Sequence, residues 1–274
     1  MSKKFKVRLI HLTPILASLL FGMFCAVVLL ISPTETYEIA PFPEGIGSLG
    51  NALYFVILVG VGALLLYFFL KRKNLRLISL VTGFALATAV FMLSVVYLLA
   101  IFSRFAVPNI EVPVLVLSML LTVLGYFAIF RISRGFCNVA VLFLGGALGT
   151  FLGFSIPTLS AILILAFLAI YDTFAVYHGP VGKIAHSGLD QLRGLSFTFK
   201  SIQMGLGDLT FYSMLSGHML LNFGFISCLA SITGVLLGCF LSFKMLERRG
   251  MFPGLPFSIL FGLAAGFLLS LRPL

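Results

Sequence analysis

The chain has 274 residues and three aspartates, and two of these, Asp172 and Asp208, stand inside long apolar runs. A carboxylate near the centre of a membrane-spanning helix costs roughly 2.5 to 3.5 kcal/mol on the insertion scale, so a pair of them asks for a reason. Asp172 precedes His178 by six residues and Asp208 follows Lys200 by eight, and these flanking residues are the expected inner ends of the two helices. At 1.5 Å per residue the carboxylates then lie about 9 and 12 Å from the same membrane face. Two carboxylates about 4 Å apart repel by roughly 4 kcal/mol at an effective dielectric of 20, so they resist ionising together and tend to share one proton. Such a pair is suited to general acid–base chemistry at a carbonyl. The ionised member takes a proton from water as it attacks, the protonated member donates to the carbonyl oxygen, and no metal or other cofactor is required.

The elements that must hold these groups follow from composition. The residues are 61% hydrophobic and 9% charged, with mean hydropathy +1.18, which a water-soluble globule of this size cannot bury. Nine apolar segments are long enough to cross a bilayer, at 12–32, 49–70, 77–102, 112–130, 136–155, 157–177, 201–221, 224–243 and 254–271. The expected fold is therefore all-α, a polytopic bundle of nine transmembrane helices in a single membrane-embedded domain over 1–274. Spans one to six fill 1–177, a cytoplasmic loop 178–200, and spans seven to nine 201–274. Two splits rest on turn residues alone, at Ser155, Ile156 and Pro157 and at Asn222, Phe223 and Gly224.

Charge tests the count, because one helix more or fewer inverts every later loop. With the N-terminus inside, 16 of 18 basic residues fall on the cytoplasmic side: Lys3, Lys4, Lys6, Arg8, Lys71, Arg72, Lys73, Arg76, Arg131, Arg134, Lys183, Arg193, Lys200, Lys244, Arg248 and Arg249. Arg104 and Arg272 fall outside, as do Glu35, Glu38, Glu44 and Glu111. This places the N-terminus in the cytoplasm and the C-terminus outside. The first run lacks a cleavage signal and reads as an uncleaved span. The net charge of +10 lies in short clusters between apolar runs, which argues against a nucleic-acid partner.

The residues around the two aspartates carry a resemblance. Span six reads Ala169, Ile170, Tyr171, Asp172, a YD motif; span seven reads Gly205, Leu206, Gly207, Asp208, a GxGD motif; and Pro253, Gly254, Leu255, Pro256 resembles a PALP motif with Gly254 in place of alanine. In order and spacing these resemble the presenilin and signal peptide peptidase family, the GxGD intramembrane aspartyl proteases. The continuation Leu209, Thr210, Phe211, Tyr212, Ser213 and the derived topology are closer to presenilins, and the small size and short loop to an archaeal homologue. The resemblance implies Asp172 and Asp208 as catalytic carboxylates, Tyr171, Gly205, Leu206 and Gly207 as active-site motif residues, and protein substrates cut within their own membrane helices. It also implies a multi-pass protein of the cell membrane. The loop between spans six and seven is too short to match the eukaryotic one that carries an autocleavage site, so accessory subunits are expected not to be required.

A helix shields its own peptide bonds, so a substrate must unwind and find new backbone partners in lipid. Residues before proline favour extended backbone, so Pro253–Pro256 is expected to offer such partners through Phe252 and Leu255 and to position substrate; alternatively these prolines only start span nine. Gly205 and Gly207, lacking a Cβ, would let a substrate strand or span six approach Asp208. Tyr171 either orients Asp172 or packs between helices. Gly145, Gly149 and Gly153, Gly234 and Gly238, and Gly262 and Gly266 are spaced for close helix contact. Cys25, Cys137, Cys228 and Cys239 read as packing thiols, His11, His178, His186 and His218 lack metal-ligand spacing, Asp190 is a solvated charge, and Lys244, Glu247 and Arg248 form local pairs at a helix end. A proton-coupled transporter that uses the aspartates as a relay is the alternative from another functional class.

Overall fold

Proline and glycine decide where the helices begin and stop. In the computed structural model, which describes residues 6–32, 39–72, 75–105, 109–178, 193–200 and 202–271, a 3-10 turn (Leu9–Leu12) leads into α1 (Thr13–Ile31). Pro14 sits in the first turn of α1, where its missing N–H removes no helical bond. After α2 (Gly47–Lys71), α3 (Leu75–Phe102) and α4 (Glu111–Phe130) comes α5 (Arg134–Ser155). Ile156 is extended at φ −112° and ψ 130°, as a residue before proline prefers, and α6 (Thr158–Tyr177) starts beyond Pro157. The fifth and sixth spans thus divide at Ser155, Ile156 and Pro157, as their turn residues suggested. Lys3, Lys4, Glu35, Glu38, Lys73, Lys183, His186, Asp190 and Arg272 lie outside the described residues.

The next element corrects the all-α expectation. Residues 202–205, read from hydropathy as the opening of span seven at 201, are strand: β1 (Ser196–Phe199) pairs antiparallel with β2 (Ile202–Gly205). Phe197, Ile202 and Met204 are buried, at the every-second-residue spacing of a strand with one face covered. Helix begins only at Leu206.

Two expected spans are then one element, α7 (Leu206–Arg249), interrupted at Gly224. Gly224 has φ 86° and ψ 177°, a conformation open to glycine and strained for any other residue. Unbroken, its 44 residues would run about 66 Å, twice the hydrocarbon thickness of a bilayer. The break divides it into arms at 206–223 and 225–249, and the second arm runs six residues past the expected end at 243 before Gly250 stops it at φ 77°. α8 (Leu255–Ser270) follows.

Among the described residues seven helices are long and apolar enough to cross a membrane, with α7 counted once and the 16-residue α8 shorter. Large apolar side chains such as Ile57, Leu58 and Leu64 on α2 point outward, the arrangement of a multi-pass integral membrane protein. α7 is the centre of the bundle and packs on α8, α5 and α1, while α2 packs on α6 and α3 on α4. Glycines make these contacts possible. A Cβ at Gly149 would collide with the Thr210 carbonyl oxygen, one at Gly153 would lie 2.5 Å from the Met214 carbonyl oxygen, and one at Gly238 would lie 2.5 Å from the Phe257 carbonyl oxygen. Hydroxyls inside the bundle donate to backbone: Thr150 to Gly22 O at 2.9 Å, Ser18 to Leu142 O at 2.8 Å and Tyr97 to Ala147 O at 2.8 Å. Such bonds satisfy polar groups that lipid cannot.

Candidate active site

Asp208 belongs to the first turn of α7. Gly205 caps the helix with φ −73° and ψ 150°, so Leu206, Gly207 and Asp208 are its first three residues. This corrects the depth derived for Asp208, because the residues before it are strand and not helix. The position has its own electrostatic logic: free N–H groups and the helix dipole favour a negative charge in a first turn. Asp172 projects from the last third of α6, five residues before Tyr177. Both side chains are half-buried.

The two carboxylates meet at one peptide unit on a third element. Leu255 opens α8, and its N–H, which has no partner within the helix, donates to Asp172 Oδ2 at 3.0 Å. A Cβ built on the preceding residue, Gly254, would lie 3.5 Å from Asp208 Oδ2 and 3.3 Å from Tyr212 Oη. Asp172 and Asp208 therefore flank the Gly254–Leu255 link. The same link is held from its carbonyl side: Tyr212 Oη donates to Gly254 O at 3.0 Å and Ser258 Oγ at 2.9 Å. A cavity of about 70 Å³ opens beside Asp208, lined also by Gln203, Met204, Tyr212, Phe252 and Gly254. It has room for water.

The conformation of Pro253–Pro256 differs from the extended one expected. Gly254 is helical in φ and ψ (−82°, −40°) and Leu255 is already helix, with Pro256 in the first turn where proline is tolerated. Pro253 and Leu255 are buried, Gly254 and Pro256 half-buried. The segment offers Leu255 N–H to Asp172 and no free strand. Gly254→Ala should shift the folding free energy by less than about 1 kcal/mol, since the backbone is one any residue adopts and only Tyr212 Oη is approached closely. Gly254→Val should lower thermal stability by about 1 to 3 kcal/mol through overpacking; thermal unfolding in detergent reads both, and equal melting temperatures for the two would contradict the geometry.

The other motif residues divide. Leu206 is buried and lies against α5, where a Cβ at Gly145 would approach its Cδ1 to 3.4 Å. Gly205 and Gly207 face space: added Cβ atoms would meet nothing nearer than 3.9 and 3.8 Å, so α6 does not press on them. The Tyr171 ring points to α2, with Oη 3.6 Å from a Cβ built on Gly60. At the far end of the first arm, His218 Nδ1–H donates to Gly153 O at 2.7 Å, a hydrogen bond that joins α7 to α5. The four cysteines are buried. The local pairs expected at the end of α7 are absent among the described residues: Glu247 Oε2 instead accepts from Val7 N–H at 3.0 Å.

Sequence reading missed Tyr212 as a site residue and missed the hairpin altogether. Alternation at Phe197, Phe199, Ile202 and Met204 was the available signal. The ladder also has direction. Leu206 N–H donates to Leu195 O at 2.8 Å, and by antiparallel alternation the backbone groups of Thr198 and Gln203 point outward from the pair. On the β1 side Asn138 occupies both groups of Thr198, accepting from its N–H at 3.2 Å and donating to its carbonyl at 2.7 Å. The β2 edge, which runs into Asp208, has no backbone partner at Gln203 among the described residues.

No protein-family model matches the chain, and no curated protein matches it. Solved structures do. One structure of a presenilin family intramembrane aspartate protease, crystallised in space group C222, is similar with TM-score 0.68 at 18% identity, covering 94% of this chain and 97% of the other. A second, in space group P2, has TM-score 0.67 at 22% identity, covering 94% and 96%. The chain has this fold over nearly its whole length.

Proposed function

We propose that this presenilin-like fold is an intramembrane aspartyl protease in which Asp172 and Asp208 activate water to hydrolyse a peptide bond within a substrate's transmembrane helix. The observation that carries the reading is the convergence of the two carboxylates, from different helices, on the Gly254–Leu255 link. With one proton between them, the ionised carboxylate accepts a proton from water as its oxygen attacks the scissile carbonyl carbon. The other carboxylate donates to the carbonyl oxygen, and the proton then passes to the departing amine. Leu255 N–H and Tyr212 hold the pair and the adjoining turn in register.

An unwound substrate needs backbone partners, and the β2 edge, without a backbone partner at Gln203 among the described residues, supplies them beside Asp208, with Pro253–Pro256 closing the other side of the site. Gln203→Pro compared with Gln203→Ala tests this, since both lose the side-chain bond to Ser196 Oγ and only proline also removes the outward N–H, which the β1–β2 ladder does not use. Cleavage by the proline variant should fall about tenfold or more below that of the alanine variant; equal activity of the two would remove the edge from the mechanism.

The break at Gly224 and the short α8 support nine spans within one membrane-embedded unit, with the N-terminus cytoplasmic by the charge asymmetry and a setting in the cell membrane. Purified protein mixed with a single-span peptide in detergent micelles should yield two fragments cut within the apolar stretch, and a hydroxyl-containing transition-state mimic should stop the cutting. Absence of fragments together with proton-gradient-driven flux in vesicles would replace the protease reading with a transporter.

A further inference from the structure

Lys244 and Arg248 lie one turn apart on the second arm of α7, both exposed, and with Leu241, Met245 and Phe257 they line a cleft of about 350 Å³ between α7 and α8. Neither forms an ion pair among the described residues, and Glu247, the nearest carboxylate in sequence, accepts from Val7 N–H through Oε2. That bond also brings the segment bearing Lys6 and Arg8, both exposed, to the end of this arm. Like charges four residues apart on a helix repel weakly, so an anion placed between them is favoured.

We propose that this cleft binds an anionic membrane lipid, its phosphate ester held between Lys244 and Arg248 and one alkyl chain laid over Leu241, Met245 and Phe257. Charge complementarity selects the headgroup, because each basic residue near a membrane surface favours an anionic lipid. The apolar floor selects a lipid over a free anion. Phe257 stacks on Phe252 at 5.5 Å and 11°, and Phe252 lines the cavity beside Asp208. A bound chain therefore buttresses the turn that carries Gly254. The binding itself does not depend on the proposed protease activity.

Full-length protein, delipidated in detergent, is titrated with phosphatidylglycerol, with phosphatidylcholine and with inorganic phosphate, and bound lipid is counted by native mass spectrometry alongside thermal unfolding. Wild type should bind one phosphatidylglycerol at least about tenfold more tightly than phosphatidylcholine. Lys244→Gln/Arg248→Gln should lose roughly tenfold or more of that preference, at about the per-residue strength expected for surface lysine and arginine. Lys71→Gln/Arg72→Gln removes the same charge elsewhere and should leave it unchanged. The proposal is overturned by undiminished binding in the Lys244/Arg248 variant, by equal loss in the charge-matched control, by no headgroup preference in wild type, or by phosphate alone raising the melting temperature as much as the lipid.

Discussion

Asp172→Asn and Asp208→Asn should each lower the rate of substrate cleavage by at least about a thousandfold while leaving the protein folded, because positioned acid–base groups contribute up to about 10⁴ in rate and both are needed in one step. Asparagine is the informative replacement. It keeps the shape of aspartate, and at position 172 its carbonyl oxygen can still accept from Leu255 N–H, the 3.0 Å bond that ties α6 to α8. Asp172→Ala would strand that N–H inside the bundle and cost about 1 to 3 kcal/mol of stability in addition to activity. The melting temperatures of the two substitutions therefore separate structure from chemistry. Residues that act as one unit are non-additive, so the double asparagine variant should be no slower than either single one by more than a few-fold. The rate should also fall on both sides of a pH optimum, at the acid side when both carboxyls are protonated and at the alkaline side when both are ionised. Fragment yield by mass spectrometry decides the matter: near wild-type cutting by either asparagine variant would end the two-carboxylate mechanism.

Gly149→Leu should be the most damaging change away from the site. A Cβ there meets the Thr210 carbonyl oxygen and lies 2.7 Å from both Met214 N and Ser213 Cβ, and two of these three are backbone atoms that no rotamer change can move aside. The first arm of α7 must then shift away from α5, at a cost of about 1 to 3 kcal/mol or more. Thr210 is two residues from Asp208, so the shift carries the carboxylate with it. Misplacing a catalytic group by about 1 Å costs on the order of a hundredfold in rate. Gly62→Ala provides the control, since a Cβ on Gly62 meets nothing within 4 Å and should leave both properties as they are. Activity and thermal unfolding measured on the pair test the contact; equal behaviour of the two variants would show that α7 does not rest on α5 through Gly149.

Several elements were legible in the sequence because their causes are local. Apolar length located α1 to α6 and α8 to within a few residues, Pro157 ended α5, and Gly224 marked the break in α7. Asp172 and Asp208 stood out because a charge in an apolar run is costly wherever the chain later folds. The spacing of Gly145, Gly149 and Gly153 pointed to close helix contact, and all three meet α7. The hairpin was not legible to a hydropathy reading. Phe197, Phe199, Ile202 and Met204 are apolar enough to extend a span, and only their alternation distinguished strand from helix.

Residue order alone places this chain in lipid, marks most of its helix breaks, and singles out the two side chains that are costly there. Tertiary packing was needed to set Asp172 against an N–H 83 residues away, Tyr212 against the carbonyl of Gly254, and Asn138 on one edge of the hairpin 60 residues on, with no backbone partner at Gln203 on the other edge among the described residues. Burial cost and helix termination depend on neighbours a few residues apart, whereas these partnerships depend on which helices pack together, and in a membrane that choice is made by shape and by polar groups seeking partners rather than by hydrophobicity.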